Sequence, residues 1–442
     1  MSGDDKGLVD LTSLAFKIFG SKQESLFHTF FLVLISSSVV FAIQYYKSFE
    51  KCLVLFVTLI SLYICIYTFS ITDQSNNIIE PRFIGFLSII PLFHFMFAIA
   101  ENRQFSFGSF ICMVFQGAII VFIAFTRSSE IWQILCVACF TILSLFISVL
   151  KRNSIKNVYK KSSLLLKLVP IVVLGGIFCS LQVYKFYTLH ADYYVKYMSS
   201  HIVWHNALMG LAVESNIADK YHLAILDDVP ITEAVNSYLK RSGKENLRQM
   251  IFSNPSYWRS NFKNFNWRLY EPAARDLYFK IAADNPISFI KIYLNLMPNI
   301  FYENIKFVAG MQTEDPSKIY LRGNVLTKHE RDKKDLYYKL SRPIAIILLI
   351  IVLFLFIAND RHVSKIINNT GIYYITMFIV IFSFIPCMLV MPVLQYMQVS
   401  LVLLTSLLYL SIILIVKTVI AMSFSQKPGH LLYITSSNAS GD

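Results

Sequence analysis

Two histidines flank a tryptophan in the long polar region of the chain, within the stretch SHIVWHNALMGL. His201 and His205 are four residues apart, so on a helix they would lie on one face, at the spacing that two zinc ligands need. Ile202, and not a glutamate, follows the first histidine, which argues against a zinc protease. Because nothing fixes the position of further ligands, we predict no metal and no cofactor.

The same residues allow two other interpretations. In the first, Trp204 packs inward with its apolar neighbours, while the histidines and Asn206 satisfy hydrogen bonds at the edge of a domain. In the second, Trp204 offers a flat apolar face to a sugar ring, and His201, His205 and Asn206 supply polar groups beside it. The second interpretation makes all four of these residues candidate substrate ligands. The sequence leaves both open.

A second group of polar residues lies in the loop ITDQSNNIIEPR, residues 71–82. A carboxylate near lipid is suited to act as a general base, because partial desolvation raises its pKa. Asp73 and Glu80 are therefore the candidate catalytic residues. Arg82, and Arg275 in the polar region, are suited to bidentate contacts with a phosphate. The alternative is that these are ordinary solvated residues.

Two polar residues fall inside apolar runs, His94 in IIPLFHFMFAIA and Lys167 in SLLLKLVP. Polar side chains at membrane depth usually face a cavity or a partner. Lys167 is close enough to the end of its run to reach the interface by snorkelling. His94 lies deeper, so a cavity and a hydrogen bond to a neighbouring helix are its two interpretations.

Composition shows what kind of structure must position these residues. The chain has 442 residues, of which 55% are hydrophobic and 15% charged, whereas soluble domains carry about 25% charged residues. We predict an all-α polytopic membrane protein with about nine transmembrane helices and with membrane lipid as a partner. The apolar runs long enough to cross about 30 Å of hydrocarbon are 27–46, 52–71, 83–100, 106–125, 131–150, 164–184, 342–358, 371–394 and 397–421.

The spacing of these runs divides the chain into five parts. The soluble part is predicted to be mainly helical, because VPITEAVNSYLKRSG and EPAARDLYFKIAADNP carry helix start and stop signals. The apolar stretch 287–307 after them is predicted to pack on the membrane surface. The parts are an N-terminal tail with an amphipathic, interfacial stretch (1–26), six spans (27–185), the soluble domain (186–341), three spans (342–421) and a C-terminal tail (422–442).

The net charge and the positions of the cysteines limit which partners and which cross-links we expect. All seven cysteines lie in or beside the apolar runs, so disulfides are not available to the soluble domain. The net charge is +13. With no nucleic-acid motif in the chain, this charge favours anionic lipid headgroups or phosphate-bearing substrates over nucleic acid.

Loop charges give conflicting evidence on orientation. The loop KRNSIKNVYKK has five basic residues and no acid, which favours the cytoplasm and places the soluble domain outside. Basic residues in KHERDKKDLYYKLSR, before the seventh span, favour the opposite. Four predicted crossings separate residues 71–82 from the domain. Both therefore share one compartment if all four runs cross the membrane.

Three motifs resemble those of a known group of proteins. They are His-x-x-Trp-His-x-x-x-x-Gly-Leu at 201–211, the acidic turn LDDVPITEAV at 226–235, and an Arg-Asp-x-Tyr-Phe helix that ends in Asn-Pro within 270–286. Together they resemble a loosely defined group of bacterial polytopic membrane proteins related to GT-C glycosyltransferases, mostly of unassigned function. The resemblance implies work on envelope glycans in the bacterial cytoplasmic membrane, with a lipid-linked sugar donor and an extracytoplasmic domain.

The chain departs from the GT-C pattern in one place. GT-C enzymes carry an acidic motif in the loop after the first span, whereas YYKSFEK has only Glu50, on the side opposite to the domain. Asp73 and Glu80 would then take the catalytic role. We expect envelope polysaccharide or glycolipid assembly, with a GT-C-like transfer from a polyprenyl-phosphate sugar to a glycan acceptor as the first hypothesis. A non-enzymatic scaffold or glycan-binding subunit and a transporter are the alternatives.

Overall fold

The computed structural model is helical, and the part of the chain that it describes contains no strand. The all-α prediction is therefore confirmed for these residues. The predicted span 342–358 lies outside them. The described residues are 6–22, 24–72, 83–101, 106–154, 161–188, 202–224, 228–252, 265–294, 371–389 and 394–425.

The helices fall into three groups along the chain. The first group is α1 (Lys6–Phe19), α2 (Glu24–Tyr45), α3 (Phe49–Thr72), α4 (Ile89–Ala100), α5 (Phe107–Thr126), α6 (Trp132–Ser154) and α7 (Lys161–Thr188). The second is α8 (Ile202–Leu211), α9 (Ser215–Tyr221), α10 (Asp228–Arg241), α11 (Glu245–Phe252), α12 (Trp267–Asp284) and α13 (286–294). The third is α14 (Gly371–Ser383), α15 (Ile385–Leu389) and α16 (Leu394–Ser425). Short 3₁₀ helices, Phe83–Ser88 and Ser128–Ile131, precede α4 and α6.

Six of the described helices are long and apolar enough to cross a membrane, namely α2, α3, α5, α6, α7 and α16. They are the helices of a multi-pass membrane protein. The predicted run 371–394 is not one continuous helix, because α14 ends at Ser383 and a separate short helix follows it. Pro386 lies in that short helix, and proline cannot donate the backbone hydrogen bond that a continuous helix needs.

The 3₁₀ segment Phe83–Ser88 and α4 form the centre of the membrane part. Every residue from Ile84 to Ile99 is buried. A 3₁₀ helix rises about 2.0 Å and an α-helix about 1.5 Å per residue, so the two together extend about 30 Å. That is about the thickness of the hydrocarbon layer. The predicted run 83–100 is thus long enough to cross the hydrocarbon layer. Helices α2, α5, α6 and α7 contact α4 and surround it.

Small and polar residues let the membrane helices approach one another closely. A Cβ atom added to Gly117 of α5 would lie 2.8 Å from Ile177 Cδ1 and 3.2 Å from Phe95 Cζ. The Ser37 hydroxyl donates to Gln116 Oε1, and Gln116 Nε2 donates to the Ser37 carbonyl, both at 2.8 Å. Such contacts stabilise helices in lipid, where the hydrophobic effect does not drive helices together.

Contacts between helix ends define two faces of the membrane part, and at one of them Gln44, near the end of α2, donates to Ser109, near the start of α5, at 3.0 Å. At the other face, helix α1 lies across the end of α5, since a Cβ atom at Gly7 would lie 2.6 Å from the Thr126 backbone. Lys185, near the end of α7, lies 4.6 Å from the centre of the Phe125 ring. At the end of α14, α15 contacts α8. We call this the domain face, because α8–α13 lie there.

Helices α8–α13 bury a hydrophobic cluster of their own, in which Val235, Tyr270 and Ile281 are fully buried. Helix α12 contacts α8, α10 and α11. The predicted stop signal for α10 is observed. Gly243 has a φ of +69°, and the N–H of Lys244 donates to the Leu239 carbonyl at 3.0 Å, as at a glycine-terminated helix end.

A larger side chain at Gly117 should destabilise the membrane helices, because it would overlap Phe95 and Ile177. We expect Gly117→Val to lower the free energy of unfolding by about 1–3 kcal/mol, measured as a lower thermal midpoint in detergent. Gly176→Val in α7 is the matched control, since a Cβ atom there has nothing within 4 Å. Equal thermal midpoints for Gly117→Val and Gly176→Val would contradict the close packing of Gly117 against Phe95 and Ile177.

Candidate functional site

The structure describes half of the predicted site residues. Trp204, His205 and Asn206 lie on α8, and Arg275 lies on α12. The other predicted residues lie outside the described part of the chain, namely Asp73, Glu80, Arg82 and His201. The predicted proximity of the loop 71–82 to the domain therefore stays a prediction.

His205 joins three helices. Its ring Nδ1 is 2.7 Å from the Tyr270 hydroxyl on α12, and its Nε2 is 3.1 Å from Asp228 Oδ1 at the start of α10. An ionised carboxylate can only accept, so Nε2 donates to Asp228, and in a neutral ring Nδ1 accepts from Tyr270. Because His205 is only 4% exposed and both nitrogens are engaged, its geometry favours the packing interpretation.

Glu271 holds the start of α8. Its carboxylate accepts from the backbone N–H groups of Trp204 at 3.0 Å and His205 at 3.4 Å. The first N–H groups of a helix have no acceptor within the helix, and they favour negative charge. Burial raises the pKa of Glu271 to about 7, although the two backbone donors oppose this shift. Sequence reasoning did not single out Glu271, whose contacts lie 66 and 67 residues away in the chain.

An aromatic surface surrounds Trp204. Its ring lies 5.5 Å from the Tyr278 ring and 5.3 Å from the Phe279 ring of α12. Phe279 is exposed, and so is Arg275. Since Arg275 precedes Phe279 by four residues, the two share a face of α12. Arg275 therefore lies one turn from Phe279, which contacts the Trp204 ring, and its guanidinium is 3.5 Å from Asp276 Oδ1.

A buried carboxylate that sequence reasoning missed lies at the domain face. Glu130, in the 3₁₀ turn between α5 and α6, accepts at Oε2 from Trp132 Nε1 at 3.0 Å and from Gln133 Nε2 at 2.8 Å. Burial raises the pKa of Glu130, and the nearby charge of Arg127 and the two donors lower it by less. The sequence feature that could have identified Glu130 is an acidic residue between two apolar runs.

Gly85 allows this carboxylate to approach the central helix. A Cβ atom at Gly85 would lie 3.1 Å from the Glu130 carboxyl carbon and 2.9 Å from Val399 Cγ2 of α16. The 3₁₀ segment before α4, the turn that holds Glu130 and α16 therefore meet at Gly85. In sequence, Gly85 follows Arg82 by three residues, so the predicted catalytic loop leads directly to this contact.

The opposite ends of the membrane helices hold a third polar group. Lys51 of α3 forms an ion pair with Glu101 and lies 4.3 Å from the centre of the Tyr45 ring. His94 is 1% exposed, and its Nδ1 has no hydrogen-bond partner among the described residues. His94 lines a cleft of about 430 Å³, as one of its two sequence interpretations expected.

Lys167 does not follow the snorkelling interpretation in the structure. Its Nζ donates to the Ser144 hydroxyl at 2.7 Å, and the residue is buried. The hydrogen bond links α6 and α7 inside the membrane part. Lys167 therefore serves helix packing.

Sequence reasoning also overlooked a Cys-x-x-Cys pair, Cys136 and Cys139 of α6. Cys136 is buried and Cys139 is exposed, and both lie within a span. In the part of the chain that the structure describes, no group of three or more His, Cys, Asp or Glu residues is placed to hold a metal ion. The structure thus assigns no chemistry to this pair.

Glu271 should make the stability of α8–α13 depend on pH. Its pKa of about 7 in the folded protein exceeds the ordinary value of 4.5, so the folded state binds the proton more tightly. This stabilisation is complete below about pH 4.5 and is lost as the pH rises to about 7. We expect the thermal midpoint, followed by tryptophan fluorescence, to fall between about pH 5 and about pH 8.

Glu271→Gln should reduce this pH dependence, because the amide does not titrate. Glu233→Gln is the control, since Glu233 is an exposed glutamate of α10 and should leave the slope as in the wild type. The same slope in Glu271→Gln and Glu233→Gln would show that Glu271 is not the group responsible.

Comparisons with known proteins provide no relative from which a function can be transferred. No protein-family model, no curated protein and no solved structure matches the chain. The resemblance to relatives of GT-C glycosyltransferases therefore stays a prediction. The function has to be argued from the contacts of the chain's own residues.

Proposed function

We propose that the protein is a membrane enzyme of cell-envelope polysaccharide or glycolipid assembly that acts on a lipid-linked sugar at the domain face. The observation that carries the proposal is the buried carboxylate of Glu130. A carboxylate beside membrane helices is costly to bury, and such groups commonly mark functional sites. A glutamate whose pKa is raised by burial is suited to general acid–base chemistry.

The position of Glu130 fits a substrate that is anchored in the bilayer. Glu130 lies between the end of α5 and the start of α6, at the same face as the contact between α15 and α8. A lipid-linked sugar that enters from the bilayer would place its phosphate and sugar at this level. The membrane helices would bind the lipid, and α8–α13 would cover the polar part.

The surface around Trp204 supplies the other groups that such a substrate needs. Trp204 and Phe279 present aromatic faces that suit a sugar ring, and Arg275, one turn from Phe279, suits a phosphate. In this proposal His205 and Glu271 act as positioning residues, because they fix the start of α8. Asp73 and Glu80 remain candidate bases for the glycan acceptor.

The remaining parts of the proposal follow from the sequence. A polyprenyl-phosphate sugar donor and a bacterial cytoplasmic membrane are what the GT-C resemblance implies. An extracytoplasmic position of α8–α13 is what the basic loop at 151–161 favours. Arg82, three residues before Gly85, would be a second phosphate ligand.

A glycan-binding or scaffold subunit is the second candidate. The observation that favours it is His205, whose two ring nitrogens are both bonded within the domain. With the histidine committed to packing, the exposed groups around Trp204 would form a binding surface without a catalytic group. Such a subunit would bind the sugar and transfer nothing.

Glu130→Gln should abolish transfer and leave the fold intact, because glutamine keeps the acceptor oxygen but cannot exchange a proton. We expect a rate at least about 100-fold lower, the usual contribution of a general acid or base. The assay would use the full chain in vesicles that contain a polyprenyl-phosphate-linked radiolabelled hexose and a glycan acceptor. Glu233→Gln serves as the isosteric control.

The outcomes separate the two candidates. Full activity in Glu130→Gln would remove Glu130 from the mechanism, and the double variant of Asp73→Asn and Glu80→Gln would then test the loop. If the wild type binds the lipid-linked sugar without transferring it, and Trp204→Ala weakens that binding, the protein is the binding subunit.

A further inference from the structure

A polar cleft opens between the ends of α2, α4 and α5, on the face opposite to the domain. Its volume of about 430 Å³ lies within the range of small-molecule sites, roughly 300–1,000 Å³. The polar side chains that line it include Glu101, Lys47, Ser48, His94, Ser106 and Ser109.

His94 gives the cleft a buried group that a ligand could satisfy. It is almost completely buried, and its Nδ1 has no hydrogen-bond partner among the described residues. Its backbone carbonyl accepts from the Tyr45 hydroxyl at 3.1 Å, which fixes the main chain beside the cleft. A buried polar atom without a partner is unfavourable, and a ligand that bonded to it would remove that penalty.

The N-terminus of α5 forms another wall. Ser106 caps the helix by accepting from the Ser109 N–H, while a Cβ atom at Gly108 would have only the Ser106 hydroxyl within 4 Å, at 3.9 Å. The backbone is therefore open to close approach at Gly108. Free N–H groups at the start of a 20-residue helix attract anions, phosphate in particular.

The cleft lies at the level where lipid headgroups are found. Helices α2 and α4 end there, and α3 and α5 begin. Two aromatic side chains at its rim are strongly exposed, Tyr46 at 68% and Phe107 at 81%. Exposed aromatic residues at the ends of spans are typical of the membrane–water interface.

The charges in the cleft favour an anion. Lys47 is exposed and lines it. The acid in its lining, Glu101, is ion-paired with Lys51, so its negative charge is largely compensated. A second acid, Glu50, accepts from the Ser48 hydroxyl at 3.0 Å, so Lys47 and the N–H groups at the start of α5 are the groups that favour an anion at the opening.

We propose that this cleft binds a phosphate group, carried either by a membrane phospholipid or by a small soluble molecule. The phosphate contacts Lys47, the Ser106 hydroxyl and the N–H groups at the start of α5, while the Ser48 hydroxyl donates to Glu50 Oε2 at 3.0 Å. A polar part of the same ligand, deeper in the cleft, hydrogen-bonds to His94. Since the site lies at the face opposite to Glu130, it does not depend on the proposed function.

The test uses the purified full chain in detergent and two probes. Phosphatidylglycerol binding is measured by native mass spectrometry, and glycerol 1-phosphate binding by calorimetry. Gly108→Leu should fill the opening, and we expect at least about a tenfold loss of binding, as for a lost hydrogen bond to a charged group. Gly176→Leu, at an exposed glycine of α7 with nothing within 4 Å of its Cβ position, should bind as the wild type does.

His94→Phe keeps an aromatic ring but removes the nitrogen, so it should weaken binding. Because a substitution at a buried residue could disturb the fold, Gly108→Leu, at an open position, provides a second test of the same site. Binding of phosphatidylglycerol that Gly108→Leu removes would identify a lipid as the source of the phosphate. Binding of glycerol 1-phosphate alone, removed in the same way, would identify a soluble ligand. No binding of either probe, or equal binding by Gly108→Leu and Gly176→Leu, would overturn the proposal.

Discussion

Inside a membrane, polar groups must be satisfied by the protein itself, because hydrocarbon offers no hydrogen bonds. The described membrane helices meet this constraint by pairing polar side chains across helix contacts, as Ser37 does with Gln116 and Lys167 with Ser144. Two of the exceptions lie at the candidate sites. At one end of the bundle, His94 Nδ1 has no hydrogen-bond partner among the described residues. At the other end, Gln133 Oε1, beside Glu130, also has none among these residues.

Helices α8–α13 satisfy their polar groups with few side chains. Glu271 accepts the N–H groups at the start of α8, and His205 bonds to α10 and α12. These contacts fix both the position of α8 and the direction in which Trp204 points. A surface built on Trp204 therefore depends on side chains that do not reach solvent themselves. Substitution of Glu271 or His205 would therefore disturb the surface around Trp204 without changing any residue exposed on it.

The sequence predicts local structure well here and distant contacts poorly. Apolar runs locate the six long membrane helices, and Gly243 correctly marks the end of α10, because these signals act within one or two helical turns. Glu130 was missed because it packs against Gly85, which belongs to another element of the chain. His205 was ambiguous for the same reason, since Tyr270 lies 65 residues later. The loop at 73–82 lies outside the described residues, so its prediction stays untested.

The central position of α4 explains why polar chemistry collects at both of its ends. Helices that face lipid can place polar side chains only on their inner surfaces, and those surfaces contact α4 and the 3₁₀ segment before it. Gly85 near one end meets the carboxylate of Glu130, and His94 towards the other lines the cleft. The two sites adjoin the same buried element, Ile84–Ile99, towards its opposite ends. A ligand in the cleft would therefore influence Glu130 only if it displaced this element, because coupling between sites needs an element that both of them shift.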